Sequence, residues 1–166
     1  MALSQPEPLT GEHDVEAFSC GNPSLDVWLR TRALSNQRKG FTAVVVVHER
    51  ARVVGYYGQA PTAVVAAEMP RSIRAGQPPD PVACLLLGQL AVDQAWAGQG
   101  IASGLLKHAY SRCLEAARLI GGRALIVNAI DAGAEAYWRR RGFLPSRDNP
   151  SLLMRTMADI AASVAS

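Results

Sequence analysis

The sequence predicts one mixed α/β domain, and three features of its hydrophobic pattern lead to that fold class. Two runs rich in β-branched residues, 41–50 and 52–68, are separated by a tight turn and predict a β-hairpin. Two other runs, 82–93 and 123–130, are almost continuously apolar, which is typical of strands covered on both faces. Between them, apolar residues recur at helical spacing from Ile101 onward.

The remaining elements follow from turn residues and helical stripes. Residues 1–10 predict an extended segment. Residues 14–40 predict two helices separated by residues 20–23, with Ser24 as the N-cap of the second helix. After a proline-rich loop, the second half of the chain predicts strand 82–93, a helix from Ile101 to Gly121, strand 123–130, a helix from Asp131 to Gly142, and two strands around a turn within 143–157.

Length and composition indicate a single domain over residues 1–166. Hydrophobic residues make up 49% of the chain and charged residues 19%, which excludes intrinsic disorder. No apolar run reaches the ~18 residues of a membrane-spanning helix. A signal peptide would require basic residues near the N-terminus, and no lysine or arginine precedes Arg30. The three cysteines match neither a disulfide framework nor a zinc pattern. We therefore expect a cytoplasmic protein with reduced thiols and no metal.

Cations are concentrated in two segments. Residues 1–29 contain acidic residues but no lysine or arginine. The first cluster comes next and comprises Arg30, Arg32, Arg38 and Lys39, and the second cluster is Arg139–Arg141. Such clusters occur on solvated helix faces and at helix C-termini, where each cation contributes about 0.3–1 kcal/mol. They also occur where a protein binds an anionic partner such as RNA. The sequence leaves both interpretations open.

Three glycines, Gly98, Gly100 and Gly104, stand where a strand is predicted to end and a helix to begin. Glycine permits a positive φ and lets a phosphate approach the backbone without a Cβ in the way. The helix N-terminus adds N–H donors and a partial positive charge. A tight turn without a ligand is the alternative. No Gly-Lys-Ser/Thr follows, which excludes a Walker loop, and no acidic residue closes the next strand, which argues against a dinucleotide fold.

Residues 90–106, LAVDQAWAGQGIASGLL, resemble the acyl-CoA loop of the GNAT N-acetyltransferases. The match to the family pattern Q/R-x-x-G-x-G/A runs from Ala97 to Ala102, with Ala97 in place of the usual Gln or Arg. Residues 139–145, RRRGFLP, resemble the family's second hallmark, an aromatic residue followed after three residues by Gly-Phe. The resemblance implies a mixed, mostly antiparallel sheet that splays at a slot for acetyl-CoA, flanked by about four helices.

The resemblance also implies which residues bind acetyl-CoA. Backbone groups of the strand would hydrogen-bond it, with an N–H near Val92 facing the thioester carbonyl. Asn128 would lie across the slot, although it is also a plausible cap of a strand end. The implied set is Leu90, Ala91, Val92, Ala97, Gly98, Gln99, Gly100, Ile101, Ala102, Ser103, Gly104 and Asn128.

The N-terminal half narrows the resemblance. Residues 18–29, FSCGNPSLDVWL, together with 53–61 and 85–93, resemble the GNAT toxins of bacterial toxin–antitoxin modules. This resemblance implies that the chain acetylates the α-amine of aminoacyl-tRNA and so blocks translation. It also implies a ribbon–helix–helix antitoxin as a protein partner and leaves a homodimer open.

The expected general acid is out of place. In the family a tyrosine lies four residues before the glycine of the Gly-Phe pair, and Trp138 occupies that position, with Tyr137 one residue earlier. An indole N–H cannot act as an acid, so we predict that Tyr137 protonates the departing thiolate. The alternative is that Tyr137 only packs in the core and that no side-chain acid is used, which costs about 10²–10⁴ in rate.

Two other functions share this fold and loop. One is a GNAT enzyme that acetylates a small-molecule amine or a protein N-terminus, which would need a defined acceptor pocket instead of a wide basic surface. The other is a non-catalytic module that binds acyl-CoA, which the tryptophan at position 138 favours. Fold alone does not choose among the three.

Overall fold

The computed structural model describes residues 2–165 and contains a seven-stranded sheet in the order β1-β2-β3-β4-β5-β7-β6. The strands are β1 (Glu7–Pro8), β2 (Ala43–Glu49), β3 (Arg52–Val64), β4 (Val82–Val92), β5 (Ala124–Asn128), β6 (Leu144–Pro145) and β7 (Leu152–Thr156). The helices are α1 (Pro23–Trp28), α2 (Leu34–Arg38), α3 (Arg71–Arg74), α4 (Ile101–Ile120), α5 (Ala132–Arg140) and α6 (Met157–Ala165). The pairing of β4 with β5 is parallel and the other defined pairings are antiparallel, which confirms the predicted fold class. Within residues 2–165, no helix is long and apolar enough to cross a membrane.

The described chain divides into two compact units. The first comprises the chain up to Ala60 together with Gly88–Ala109, and the second comprises Pro61–Leu87 together with the chain from Tyr110 onward. Each unit has its own buried apolar cluster. The cluster of the first unit is Leu9, Phe18, Leu29, Ala33, Val44, Val46, Val53, Tyr56 and Ala91. The cluster of the second unit is Val64, Met69, Ile73, Val82, Cys84, Ala124, Ile126 and Met154. That residues 1–166 act as one domain stays a prediction.

The predicted hairpin is present in the first unit as β2 and the beginning of β3. Arg50 and Ala51 form its turn, with φ values of +51° and +72°. Two-residue hairpin turns need positive φ at both central residues because their twist then matches that of the strands. Neither residue is a glycine, so the turn carries local strain of about 1–2 kcal/mol per residue.

The prediction of two helices within residues 14–40 is wrong for the first of them, which is not present in the described chain. Asp14 instead pairs with the hairpin: its N–H donates to Ala51 O at 2.7 Å, and its carbonyl accepts from Val53 N–H at 2.9 Å. The Asp14 carboxylate also accepts from Glu16 N–H at 3.0 Å, which stabilises a turn in place of a helix. Backbone pairing with the sheet therefore overrides the weak helical pattern.

The second predicted helix is present, with a different N-cap. Asn22, and not Ser24, caps it: Asn22 Oδ1 accepts from Ser24 N–H at 3.0 Å, while Pro23 occupies the first helical position, where no N–H is needed. Between α1 and α2 the helix continues as one π-helical turn, Leu29–Ala33. We refer to residues 23–38, comprising α1, this turn and α2, as the N-terminal helix run.

The second unit contains the predicted C-terminal strands and two helices that were not predicted, α6 and the short α3, which lies in the segment expected to be a proline-rich loop. Leu85–Leu87 of β4 pairs with Leu125–Val127 of β5, and β5 pairs with β7. After β7 the chain forms α6, whose alanine-rich sequence has high helix propensity. Thr156 Oγ1 accepts from Asp159 N–H at 3.1 Å and so caps the start of α6.

Replacing Ala51 by glycine is expected to stabilise the protein by about 0.5–1 kcal/mol, because glycine relieves the strain of a positive φ. A rise of roughly 1–4 °C in the melting temperature, measured by calorimetry, corresponds to that gain. Ala75→Gly is the matched control, since Ala75 is exposed and has a φ of −55°. There the substitution only makes the unfolded chain more flexible and lowers the melting temperature. Equal losses in both variants would show that the turn is not strained.

Candidate active site

The loop between β4 and α4 exposes a backbone shaped by glycine. Gly98 and Gly100 have φ values of +78° and +80°, a conformation that strains any residue with a Cβ. A Cβ added at Gly98, Gly100 or Gly104 would meet no atom of residues 2–165 within 4 Å. The lack of side chains at these glycines therefore leaves open space over the loop. It is not explained by another part of the described chain that packs closely against them. Open space over a glycine backbone is what the approach of a phosphate requires.

The N-terminus of α4 places hydrogen-bond donors beside this loop. The first N–H groups of an α-helix have no partner within the helix. Gly104 N–H donates to Gly100 O at 3.0 Å, which leaves the N–H groups of Ile101, Ala102 and Ser103 directed out of the helix end. No acidic residue lies in the first turn of this helix, so its partial positive charge is not neutralised locally. Loop and helix end together form a site for an anion such as a pyrophosphate.

Asp93 fixes the point where β4 ends and the loop begins. Its Oδ1 accepts from Ala95 N–H at 2.9 Å and caps a single 3₁₀ turn, Gln94–Trp96. Its Oδ2 accepts from Ser19 N–H at 3.1 Å, and its backbone N–H donates to Val54 O at 2.8 Å. Both carboxylate oxygens are thus used to position the backbone, so Asp93 is a structural residue of the loop.

The resemblance places the slot for acetyl-CoA at the end of β4. In the described chain, β4 pairs with β5 over Leu85–Leu87, and the following residues Gly88–Val92 belong to the first unit. That the sheet splays at this point stays a prediction. Ala91 is buried in the cluster of the first unit, while Leu90 and Val92 are half-buried.

The predicted site residues lie in both units. Those from Leu90 to Gly104 are all in the first unit, whereas Asn128 and Tyr137 are in the second. Asn128 is the last residue of β5, lies opposite Leu152 in the antiparallel register, and is exposed. An exposed amide at a strand end is compatible with binding a ligand and with capping the strand, so its role stays a prediction.

The end of α5 gives Trp138 a packing role. The helix ends in a Schellman motif, in which Phe143 N–H donates to Trp138 O at 3.2 Å and Gly142 N–H donates to Arg139 O at 3.1 Å. Gly142 has the positive φ, +86°, that this motif needs. The motif brings the rings of Trp138 and Phe143 to 5.0 Å between centroids, and Trp138 is only 7% exposed.

Tyr137 differs from Trp138 in having a polar group without a partner. Its hydroxyl is buried and makes no hydrogen bond within residues 2–165. The Arg141 guanidinium lies over its ring, with Cζ 3.5 Å from the ring centroid, and Arg141 Nη1 donates to Tyr137 O at 3.0 Å. Trp138 contacts the same ring edge-on at 5.0 Å. The ring is therefore held in place while its proton is not engaged, as a proton donor requires.

One group of side chains in the described chain has the composition of a metal site: Glu7, His13 and His48. Glu7 Oε1 lies 2.9 Å from His13 Nε2 and 2.7 Å from His48 Nε2. These two hydrogen bonds lower the pKa of the Glu7 carboxyl, and the bond with His13 has the larger effect. Each Nδ1 accepts a backbone N–H, from Thr10 at 2.9 Å and from Ala51 at 3.0 Å. Each neutral ring must then carry its proton on Nε2, where a metal would bind. The geometry favours a hydrogen-bonded cluster over a metal centre.

The cations of the second predicted cluster make contacts within the second unit. Arg139 forms an ion pair with Glu135 at 3.0 Å, one helical turn earlier. Arg141 is half-buried over Tyr137. These contacts fit the interpretation that this cluster belongs to a solvated helix end.

The cysteine thiols are unsuited to nucleophilic catalysis. No cysteine of the described chain is disulfide-bonded. Burial, followed by the hydrogen bond with Asp26, raises the pKa of the Cys20 thiol to about 11, and burial raises the pKa of Cys113 to about 12. Neither thiol is a thiolate at neutral pH.

Comparison with known proteins gives relatives over nearly the whole chain. Residues 12–143 match the model of the acetyltransferase (GNAT) family. A tRNA-acetylating toxin from Mycobacterium tuberculosis is 40% identical over 161 residues, which cover 97% of this chain and 96% of that protein. The structure of AtaT complexed with acetyl-methionyl-tRNAfMet is similar with a TM-score of 0.89 and 25% identity, covering 98% of this chain and 99% of that one. A tyrosine-to-phenylalanine variant of AtaT, bound to the C-terminus of the antitoxin AtaR and acetyl-CoA, gives 0.83 and 25% over the full length of both chains.

Replacing Gly100 by glutamate is expected to abolish acetyl-CoA binding, because the new carboxylate would repel the pyrophosphate at the N-terminus of α4. Calorimetric titration with acetyl-CoA measures the effect. Gly40→Glu is the matched control: Gly40 has a φ of +82°, and a Cβ there also meets nothing of the described chain within 4 Å. Unchanged affinity in Gly100→Glu, or an equal loss in both variants, would contradict the assignment of the loop.

Proposed function

The chain belongs to the acetyltransferase (GNAT) family, and we propose that it is a toxin that transfers the acetyl group of acetyl-CoA to the α-amine of an aminoacyl-tRNA. The observation that carries this proposal is the 40% identity to a tRNA-acetylating toxin over 97% of the chain. The glycine loop at the N-terminus of α4 supports it, because the loop has the backbone conformation, the free space and the donors that an acyl-CoA pyrophosphate needs.

In the proposed reaction, backbone groups do most of the binding. The loop from Ala97 to Gly104 and the first turn of α4 hold the pyrophosphate of acetyl-CoA. Backbone groups of Leu90–Val92 hydrogen-bond the acyl donor, with an N–H near Val92 directed at the thioester carbonyl, where it stabilises the developing negative charge. Asn128 provides a further polar contact to the donor.

An α-amine is the acceptor that suits this set of residues. Deprotonating a lysine amine at pH 7 costs about 4.6 kcal/mol, whereas an α-amine with a pKa of about 7.8 costs roughly 1 kcal/mol. Asp93 has both carboxylate oxygens engaged by backbone N–H groups, and His13 and His48 are engaged with Glu7. With Asp93, His13 and His48 occupied in this way, we propose that the acceptor is an α-amine, which needs little help from a base, and not a lysine side chain.

We propose Tyr137 as the general acid of the transfer. The amine nitrogen attacks the acetyl carbonyl carbon, so that a C–N bond forms and the C–S bond breaks. The amine gives one proton to water, the departing thiolate takes the proton of the Tyr137 hydroxyl, and the resulting tyrosinate regains a proton from water. The lack of an acceptor for that hydroxyl within the described residues supports this role.

Partners and location follow from the same proposal. An antitoxin should hold the toxin inactive, and the AtaT structure with the C-terminus of AtaR supports such a partner. We propose that this antitoxin is of the ribbon–helix–helix type and that the toxin forms a homodimer. Because aminoacyl-tRNA is a cytoplasmic substrate, we propose that the protein acts in the cytoplasm as one domain over residues 1–166.

Incubation of the purified protein with labelled acetyl-CoA and a mixture of aminoacyl-tRNAs is expected to label the aminoacyl end. Mild base should release the label with the amino acid, because it hydrolyses the ester that joins the amino acid to the tRNA. Deacylated tRNA is the control and should stay unlabelled. Labelling of small amines or protein N-termini alone would favour the metabolic enzyme, and acetyl-CoA binding without any transfer would favour the binding module.

Tyr137→Phe is expected to lower kcat by roughly 100-fold or more while acetyl-CoA affinity and melting temperature stay nearly unchanged, because only the proton donor is removed. Single-turnover acetylation of a charged tRNA measures the rate. Tyr110→Phe is the matched control, since it removes another phenol hydroxyl from the second unit. A Tyr137→Phe variant with the full rate would show that the thiolate leaves without a side-chain acid.

A further inference from the structure

The N-terminal helix run and Lys39, which directly follows it, present cations that form no ion pair with an acidic residue of the described chain. Arg30, Arg32, Arg38 and Lys39 are all exposed, and none forms an ion pair within residues 2–165. Asp26 is the only acidic residue between positions 23 and 39, and it is buried, with its Oδ1 accepting from Cys20 N–H at 2.9 Å. The exposed face of the run therefore has an uncompensated positive charge.

A groove lies along the run between two rows of side chains spaced by one helical turn, and of these four cations Arg32 lines it. One row contains Val27 and Thr31, and the other contains Ser24, Trp28, Arg32 and Asn36. Its volume of about 620 Å³ lies within the usual range of ligand sites. The groove combines an exposed apolar side chain, Val27 at 47% exposure, with an aromatic ring, a guanidinium and an amide.

The π-helical turn lies in the middle of this groove. It spans Leu29–Ala33 and therefore contains Thr31 and Arg32, one residue from each row. Such wide turns are uncommon and are frequently found at functional sites. Leu29 and Ala33 keep the inner side of the turn anchored in the apolar cluster of the first unit, while the outer side faces the groove.

The inner wall of the groove reaches the strand that contains the proposed thioester-binding residues. Trp28 stacks on Tyr56, with ring centroids 5.9 Å apart and an interplanar angle of 7°. A Cβ at Gly58 would lie 3.4 Å from Trp28 Cη2 and would overlap the Gln89 amide oxygen. Trp28 and Gln89 thus both border the space above Gly58, and Gln89 directly precedes Leu90. All of these residues belong to the first unit.

From these observations we propose that the groove binds the unpaired 3′ end of the tRNA acceptor, an inference that rests on the proposed function. Single-stranded nucleic acids are bound by apolar and aromatic side chains that contact bases, beside cations that contact phosphates. Val27 and Trp28 supply the base contacts, Asn36 supplies an amide for a base edge, and Arg32 supplies the phosphate contact. The wall formed by Trp28 leads the terminal residue toward Gln89 and Leu90.

The test compares two uncharged tRNA probes, one intact and one without its unpaired 3′ nucleotides, by fluorescence anisotropy at low salt. The unmodified protein is expected to bind the intact probe roughly tenfold or more tightly than the trimmed probe. Val27→Asp, which adds a carboxylate at an exposed position of the groove, should remove this difference. Val164→Asp is the matched control, because Val164 is an equally exposed valine in α6, at 49%. It should behave as the unmodified protein does.

Equal binding of both probes by the unmodified protein, or a Val27→Asp variant that still distinguishes them, would overturn the proposal. Retained tRNA discrimination together with loss of inhibition by an antitoxin would also overturn it and assign the groove to a protein partner. The labelling of aminoacyl-tRNA by the unmodified protein reports separately on the proposed function. A failure of the groove is thus distinguishable from a failure of the activity.

Discussion

Asp93 holds together three pieces of backbone from distant parts of the sequence. Its carboxylate joins the segment at Ser19 to the turn at Ala95, and its N–H ties both to Val54 of β3. A second bond, from Gln94 N–H to Ser19 O at 2.8 Å, reinforces the junction. This junction lies directly before the glycine loop and, through Ser19, close to the start of the N-terminal helix run. The positions of the glycine loop and of the groove on the N-terminal helix run therefore both depend on this one strand end, and a change at Asp93 would disturb both.

The end of α5 shows how a local motif can separate packing from chemistry. The Schellman motif is frequently accompanied by an apolar contact between the residue four positions before the glycine and the residue directly after it, and Trp138 and Phe143 make that contact. A large indole at this position packs well but has no proton to give at a useful pH. Tyr137 is the adjacent residue, so its side chain points about 100° around the helix, and its hydroxyl is left without a partner within the described chain. Spacing and chemistry therefore indicate two different residues because the motif and the reaction place different demands on this turn.

Sequence patterns predicted the elements whose hydrogen bonds are local or whose apolar pattern is long and regular. The hairpin, the strands β4 and β5, and α4 with its glycine loop could all be predicted from β-branched runs, apolar runs and helical periodicity. The absence of the helix expected after Asp14 could not be predicted, because the hydrogen bonds that replace it join Asp14 to Ala51 and Val53, which lie far along the chain. The π-helical turn gave no signal for the same reason, since it depends on how Leu29 and Ala33 fit the core. The glycine loop could be predicted from the sequence. The groove beside Trp28 could not, because it depends on which charges are paired, and pairing is a property of the fold.

Local strain by itself does not distinguish a binding site from a tight turn in this protein. Ala51 has a positive φ in a hairpin turn, and its N–H is engaged by His48 Nδ1 at 3.0 Å, so this strain is used within the fold. Gly98 and Gly100 have similar φ values, but they lie beside helix N–H groups that the fold leaves directed at open space. The same contrast separates Arg139, which is paired with Glu135, from Arg32, which has no ion-pair partner within residues 2–165. A positive φ or a group of cations is explained by the fold where the residues concerned have their hydrogen bonds and ion pairs complete. Where they are incomplete and face free space, the groups are available to bind a ligand, as we propose for the glycine loop and for the groove beside Trp28.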